Sequence, residues 1–190
     1  MVHLRDVASV LSGLSPLIGD RGTARYVQIK DITPRRRALV YAQPPTAGRA
    51  SPIEPNDVLI AARGDGPLAA RPDRDLIGAY AALDVYLVKP DTTRLDPDFL
   101  AALVNIGPAG EILRAAASGG SLPRIPKDAV EGLAIPPLSL AVQKRLGALD
   151  VARQHYATLA EKKMNAERCL LGAVIRAAIN HAEVGTHAKR

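Results

Sequence analysis

Apolar and polar positions change rhythm at Pro136 and Pro137. Before them, short apolar runs alternate with turn residues; after them, apolar residues recur in steps of three and four. The two rhythms predict an α+β region of many brief strands over residues 1–138, then one long helix. Neither proline donates a backbone hydrogen bond, and each biases its predecessor towards extended geometry, so Leu133 to Ile135 should end as a strand. Ser139 is the natural N-cap. From Leu140 to about Ala182 there is no proline, and Ala, Leu, Lys, Arg, Glu and Gln predominate, which favours helix throughout. Unbroken, those roughly 43 residues span about 64 Å. Apolar positions 142, 146, 149, 152, 156, 159, 166, 170, 174 and 178 form one stripe along it.

Such a stripe needs a partner, most simply a second copy in a coiled coil, with Leu146, Leu149, Tyr156, Leu159, Leu170 and Val174 at the interface. The heptad is imperfect, because Lys163 and Glu167 occupy or border seam positions, and Gly147 and Gly172 are weak points. The expected organisation is a globular domain over 1–138, a spacer and dimerisation helix over 139–182, and a flexible tail over 183–190.

Within the first region, Leu4 to Leu14 suits a short amphipathic helix or a strand turning at Gly13. Tyr26 to Ile32 and Ala38 to Ala42 read as strands, and the tract from Gln43 to Pro52 as a loop. Val58 to Ala62 reads as a strand buried on both sides, ended by the turn Arg63-Gly64-Asp65-Gly66. Ile77 to Val88 suggests one or two strands. Asp96-Pro97 opens a helix, and a further short helix from about Gly110 to Ala117 precedes Gly119-Gly120. No internal repeat is visible.

Composition changes this picture in a few respects. An apolar content of 47% suffices for a core, but aromatics are only 3% and Trp is absent. Base-stacking platforms for single strands or RNA loops are therefore not expected, and any nucleic acid read here should be duplex. Cys169 is the single cysteine, without a disulfide partner or zinc-type spacing. No signal pattern or run long enough to span a membrane is present, so a cytoplasmic protein is expected. The net charge is +6, unevenly placed: residues 1–142 hold 16 Lys/Arg against 15 Asp/Glu, and residues 143–190 hold 9 against 4. Phosphate contacts by the globular part must therefore come from local clusters.

Those clusters are Arg35-Arg36-Arg37, Arg63 in its glycine turn, Arg71 and Arg74 around a Pro-Asp turn, and Ser121, Arg124 and Lys127 in a punctuated loop. Each reads either as a contact to phosphate or to a guanine edge, or as ordinary turn chemistry. The histidines are far apart in sequence. Asp57, Asp65, Asp73 and Asp75 invite a magnesium nuclease reading, but no nuclease-like carboxylate and lysine run accompanies them. There is no nucleophile elbow, no P-loop and no methyltransferase Asn-Pro-Pro-Tyr motif. No catalytic residue, metal ligand or cofactor is expected in the chain.

The stretch Gly120 to Gln143, with its "G-S-x-x-x-I-P" and "I-P-P-L-x-x-x-x-Q" phrases, resembles the closing segment of target-recognition domains in specificity subunits of type I restriction-modification systems. Leu4 to Pro16, Tyr26 to Ile32, Ile53 to Gly66 and Leu95 to Asn105 resemble further blocks of that family, in the same order. The resemblance implies a non-catalytic reader of duplex DNA. Arg35, Arg36, Arg37, Arg63, Arg71, Arg124 and Lys127 are the candidate DNA contacts. Implied partners are a DNA adenine methyltransferase subunit, which carries S-adenosylmethionine, and a restriction and translocation subunit. Family members usually carry two recognition domains in tandem, whereas one is legible here, so a homodimer on a bipartite site is the expectation. The alternatives are a protein-binding scaffold without DNA readout and the magnesium nuclease.

Overall fold

The computed structural model describes residues 2–17, 22–32, 39–46, 50–64, 69–118 and 123–187, with side-chain surroundings through residue 179. The chain divides into two compact units, Met1–Asp150 and Val151–Arg190.

The first unit is α+β. Its centre is an antiparallel sheet in the order β2 (Ala8–Ser12), β8 (Val85–Pro90), β5 (Val58–Ala61), β6 (Ala69–Ala70). β5 and the first four residues of β8 are buried on both faces. Alternate residues serve two cores: Val58, Ile60, Tyr86 and Val88 face one, while Leu59, Ala61, Val85 and Leu87 face the other. Helices α2 (Pro97–Asn105), α3 (Pro108–Ala116) and α4 (Lys127–Glu131) cover the first core with Leu100, Val104, Leu113 and Val130. A smaller sheet, β4 (Val40–Ala42), β3 (Ala24–Val27), β7 (Tyr80–Ala81), lies beside the second and joins the central sheet through the Leu14 and Ala82 bridge.

The ends of the unit are clasped together. β1 (Val2–His3) pairs antiparallel with β9 (Ala134–Ile135), and the Leu4 amide donates to the Leu133 carbonyl at 2.8 Å. The strand expected before the double proline is thus present. Leu4–Asp6 forms a 3₁₀ turn ahead of β2, which resolves the open reading of this block in favour of a strand. Gly13 follows it at a point with no room for a side chain: a Cβ there would lie 1.9 Å from the Ala82 carbonyl oxygen.

Two local expectations are corrected. The strand expected over Tyr26 to Ile32 stops at Val27, and α1 (Ile29–Ile32) follows. The cause is Asp31, whose buried carboxylate accepts the Gln28 amide at 3.0 Å and fixes a helical turn over what reads as alternation. Lys127 does not lie in a loop but opens α4, where Pro126 supplies an extended entry and Lys127 pairs with Glu131 at 3.0 Å, one turn on. Elsewhere Asp96 caps α2 through the Phe99 amide at 2.9 Å, as its Asp-Pro signal predicts.

Helix α5 (Leu140–His187) starts after Ser139 and runs beyond the expected end near residue 182. Its first turns belong to the first unit through Gln143, Gly147 and Asp150, all buried and spaced by four and three. Gln143 accepts the Asp96 amide at 3.0 Å and donates to the carbonyls of Arg94 at 3.2 Å and Leu138 at 3.0 Å. Gly147 lets the helix approach α2 so closely that a Cβ would sit 2.7 Å from the Phe99 nitrogen. The residue read as a weak point is a packing requirement. From Val151 to Ile179 every residue is exposed except Ala160, Glu161 and Gly172, which are half-buried.

Candidate functional site

The turn between β7 and β8, Leu83 and Asp84, gathers three segments that are distant in sequence. Its geometry is set by the backbone: the Val85 amide closes on Ala82, the Ala62 amide reaches the Asp84 carbonyl, and the Ala82 amide reaches Val27, at 2.8, 2.8 and 2.9 Å. The ends of β5 and β3 are thereby held against one turn.

Two arginines converge on its carboxylate. Arg63 leaves β5 and places Nε 3.1 Å from Asp84 Oδ1, and a guanidinium nitrogen of Arg124 lies 2.7 Å from the same oxygen. Arg124 also donates to the Leu83 carbonyl at 2.8 Å and lies over the Tyr86 ring, 5.6 Å from its centroid. Its position is fixed twice over. Ser118 and Arg124 exchange backbone hydrogen bonds of 3.1 and 2.9 Å, and the buried Tyr86 hydroxyl donates to the Ile125 carbonyl at 2.7 Å. The three charged side chains are 28 to 40% exposed. Each pair therefore contributes only about 0.2–1 kcal/mol to stability.

Beside Asp84 opens a cleft of ≈ 300 Å³ lined by Pro16, Gln28, Ile29, Lys30, Ala82, Leu83 and Asp84. Lys30, exposed, lines the same cleft as Asp84. The two arginines are cations held at one turn, the kind of group that contacts phosphate when a carboxylate partner yields it.

Of the residues singled out in the sequence, Arg63 and Arg124 are brought together here. Arg35, Arg36, Arg37 and Asp65 lie outside the described residues. Arg71 is engaged elsewhere, donating to Asp98 at 2.8 Å and to the Pro55 carbonyl at 2.7 Å, which ties that loop to α2. Lys127 is paired along α4. Lys30 and Asp84 were not singled out; their role depends on contacts up to 40 residues apart in sequence, which no local pattern reveals.

The aspartates do not assemble a metal centre among the described residues, where no three His, Cys, Asp or Glu are grouped to hold an ion. Asp57 is buried between the Glu54 amide at 2.7 Å and Lys89 at 3.0 Å. Asp73 accepts the Asp75 amide at 3.0 Å. Among the described residues no single helix is long and apolar enough to cross a membrane.

The predicted interface residues on α5 are all exposed in the single chain, with Leu149 at 68%, Tyr156 at 75% and Leu170 at 67%. Val142, Met164, Leu171, Ile175 and Ile179 extend the apolar surface.

Neither a protein-family model nor a curated protein matches this chain. Solved structures do. The HsdS subunit from Thermoanaerobacter tengcongensis is 20% identical with a TM-score of 0.58, over 84% of this chain and 38% of that one. A chain from a study of complex assembly and conformational transition in the type I R-M system is 21% identical with a TM-score of 0.62, over 87% and 41%. The type I restriction-modification S subunit from M. genitalium is 15% identical with a TM-score of 0.52, over 84% and 41%. The chain thus spans about two fifths of the length of each of these proteins. With its mixed sheets, its clasped ends and its long closing helix, it has the fold of the S subunits of type I restriction-modification systems.

Proposed function

We propose that this chain is a non-catalytic DNA specificity factor that reads a short half-site in duplex DNA and directs a partner DNA adenine methyltransferase subunit to it. The observation that carries the reading is the shared fold with S subunits over 84 to 87% of the chain, joined to the ordered family-like blocks in its sequence. Arg63 and Arg124, gathered on Asp84, supply cations on one edge of the compact unit, and Lys30 lines the cleft beside Asp84. Arg35, Arg36 and Arg37 follow α1 in the sequence and are proposed as further DNA contacts. Arg71 and Lys127, paired with Asp98 and Glu131, are proposed as further contacts away from this edge.

The open apolar stripe of α5 pairs with a second copy in this proposal, so that two readers bind an interrupted palindrome. The chain covers 38 to 41% of the S subunits it matches, as one recognition unit with one helix would. The methyltransferase carries S-adenosylmethionine and performs the chemistry, and a restriction and translocation subunit completes the assembly.

Co-expression with a type I methyltransferase subunit lacking its own specificity subunit tests this. Adenine methylation at one bipartite motif is expected; unplaced methylation, or none, would contradict a specificity role.

A further inference from the structure

Two guanidinium groups rest on one oxygen of the partly exposed Asp84 carboxylate. On the proposed function, the edge that carries Asp84 and its arginines meets DNA phosphates. An acidic side chain there opposes DNA binding unless its effect is selective. Arg63 follows β5 and Arg124 lies 61 residues further on, yet both rest on Asp84 Oδ1, a shared ion pair that joins them.

We infer that Asp84 is a specificity-determining positioning residue, which restrains Arg63 and Arg124 against indiscriminate phosphate binding; the inference rests on the DNA-reading function. Phosphate attraction is independent of sequence and dominates non-specific affinity. A duplex that drifts across this edge must compete with Asp84 for both arginines and also meets its negative charge. A correctly seated half-site recovers that loss through contacts made elsewhere on the recognition surface. The carboxylate therefore weakens random binding more than specific binding, and discrimination is a difference of affinities. The Leu83 carbonyl and the Tyr86 ring keep Arg124 in place when the carboxylate is displaced, so the cation remains aimed at the same edge.

The test uses the full chain and its Asp84→Asn variant, which keeps an oxygen acceptor and leaves the backbone hydrogen bond from Ala62 intact. Binding to a labelled random-sequence duplex is followed across salt concentration by fluorescence anisotropy, with thermal melting to establish folding. Asp84→Asn should bind random duplex about tenfold more tightly at low salt and steepen the slope of log affinity against log salt by about one to two. It should also enrich its preferred motif less from a randomised duplex pool. In an Arg63→Gln/Arg124→Gln background the same replacement should change the slope little. Asp84→Ser is the second variant, and its slope is read should Asp84→Asn melt early.

An equal effect of Asp84→Asn in the arginine-free background would reduce Asp84 to bulk charge and overturn the inference. So would weaker random binding, or unchanged binding and enrichment, while the wild-type protein still selects a motif. If neither wild type nor variant shows salt-dependent duplex affinity, the DNA-reading function itself fails and this inference with it.

Discussion

Gln143 anchors the start of α5 with a single amide whose three hydrogen bonds reach Asp96, Arg94 and Leu138. Replacing it by Leu keeps the volume but strands those backbone groups, so Gln143→Leu should lower unfolding free energy by about 3 kcal/mol in urea titrations. Asp57 gives a pH signature. Burial raises its pKa above the ordinary 3.8, outweighing the lowering effects of the Glu54 amide and of Lys89. The folded state then holds this proton more tightly than the unfolded chain does. Stability from this group is fully present below the ordinary carboxylate value and is lost as pH rises through the raised one. Asp57→Asn does not titrate, so its stability relative to wild type should increase as pH rises from about 4, measured by urea unfolding at successive pH values. Gln143 was legible in the sequence as the closing letter of a family-like phrase, although its hydrogen bonds were not. Asp84 carried no signal, because a turn carboxylate is ordinary until the fold brings Arg63 and Arg124 to it.

At the scale of elements, α5 uses two faces differently. Apolar periodicity marks the stripe through Leu146 and Leu149, yet the face that docks onto the first unit carries Gln143, Gly147 and Asp150. Hydrophobic pattern alone cannot show this, since the contact is made by close backbone approach and an amide rather than by apolar area. The consequence is that the stripe stays open. Leu149→Lys with Leu159→Lys should convert the proposed dimer to monomers in light scattering without loss of helix by circular dichroism; an unchanged dimer would remove the pairing model. The two glycines first read as equal weak points should behave oppositely. Gly147→Ala clashes with backbone at 2.7 Å and should destabilise by about 1–3 kcal/mol, whereas Gly172 has only Arg176 side-chain atoms near its missing Cβ. Gly172→Ala should add about 1 kcal/mol through helix propensity, read as a rise in melting temperature. The short elements α1 and α4 were missed because one carboxylate and one proline decide them.

For the whole molecule, the two-sided burial of β5 and β8 explains why the first region is one unit despite its many short strands. A continuous apolar run such as Val58 to Ala61 announces a strand covered on both faces, and Asp96-Pro97 announces a helix, so the α+β class was legible. The order of the sheets was not, because β3 pairs in parallel with β7 across more than fifty residues and nothing local encodes that register. The functional account joins this unit to an exposed striped helix and to a fold shared with S subunits. The most direct measurement is selection of duplexes from a randomised pool by the purified chain. Enrichment of one interrupted inverted repeat with a fixed spacer is predicted. A bound pool with no enriched motif, or no retention of duplex at low salt, would contradict the claim that this chain reads DNA sequence.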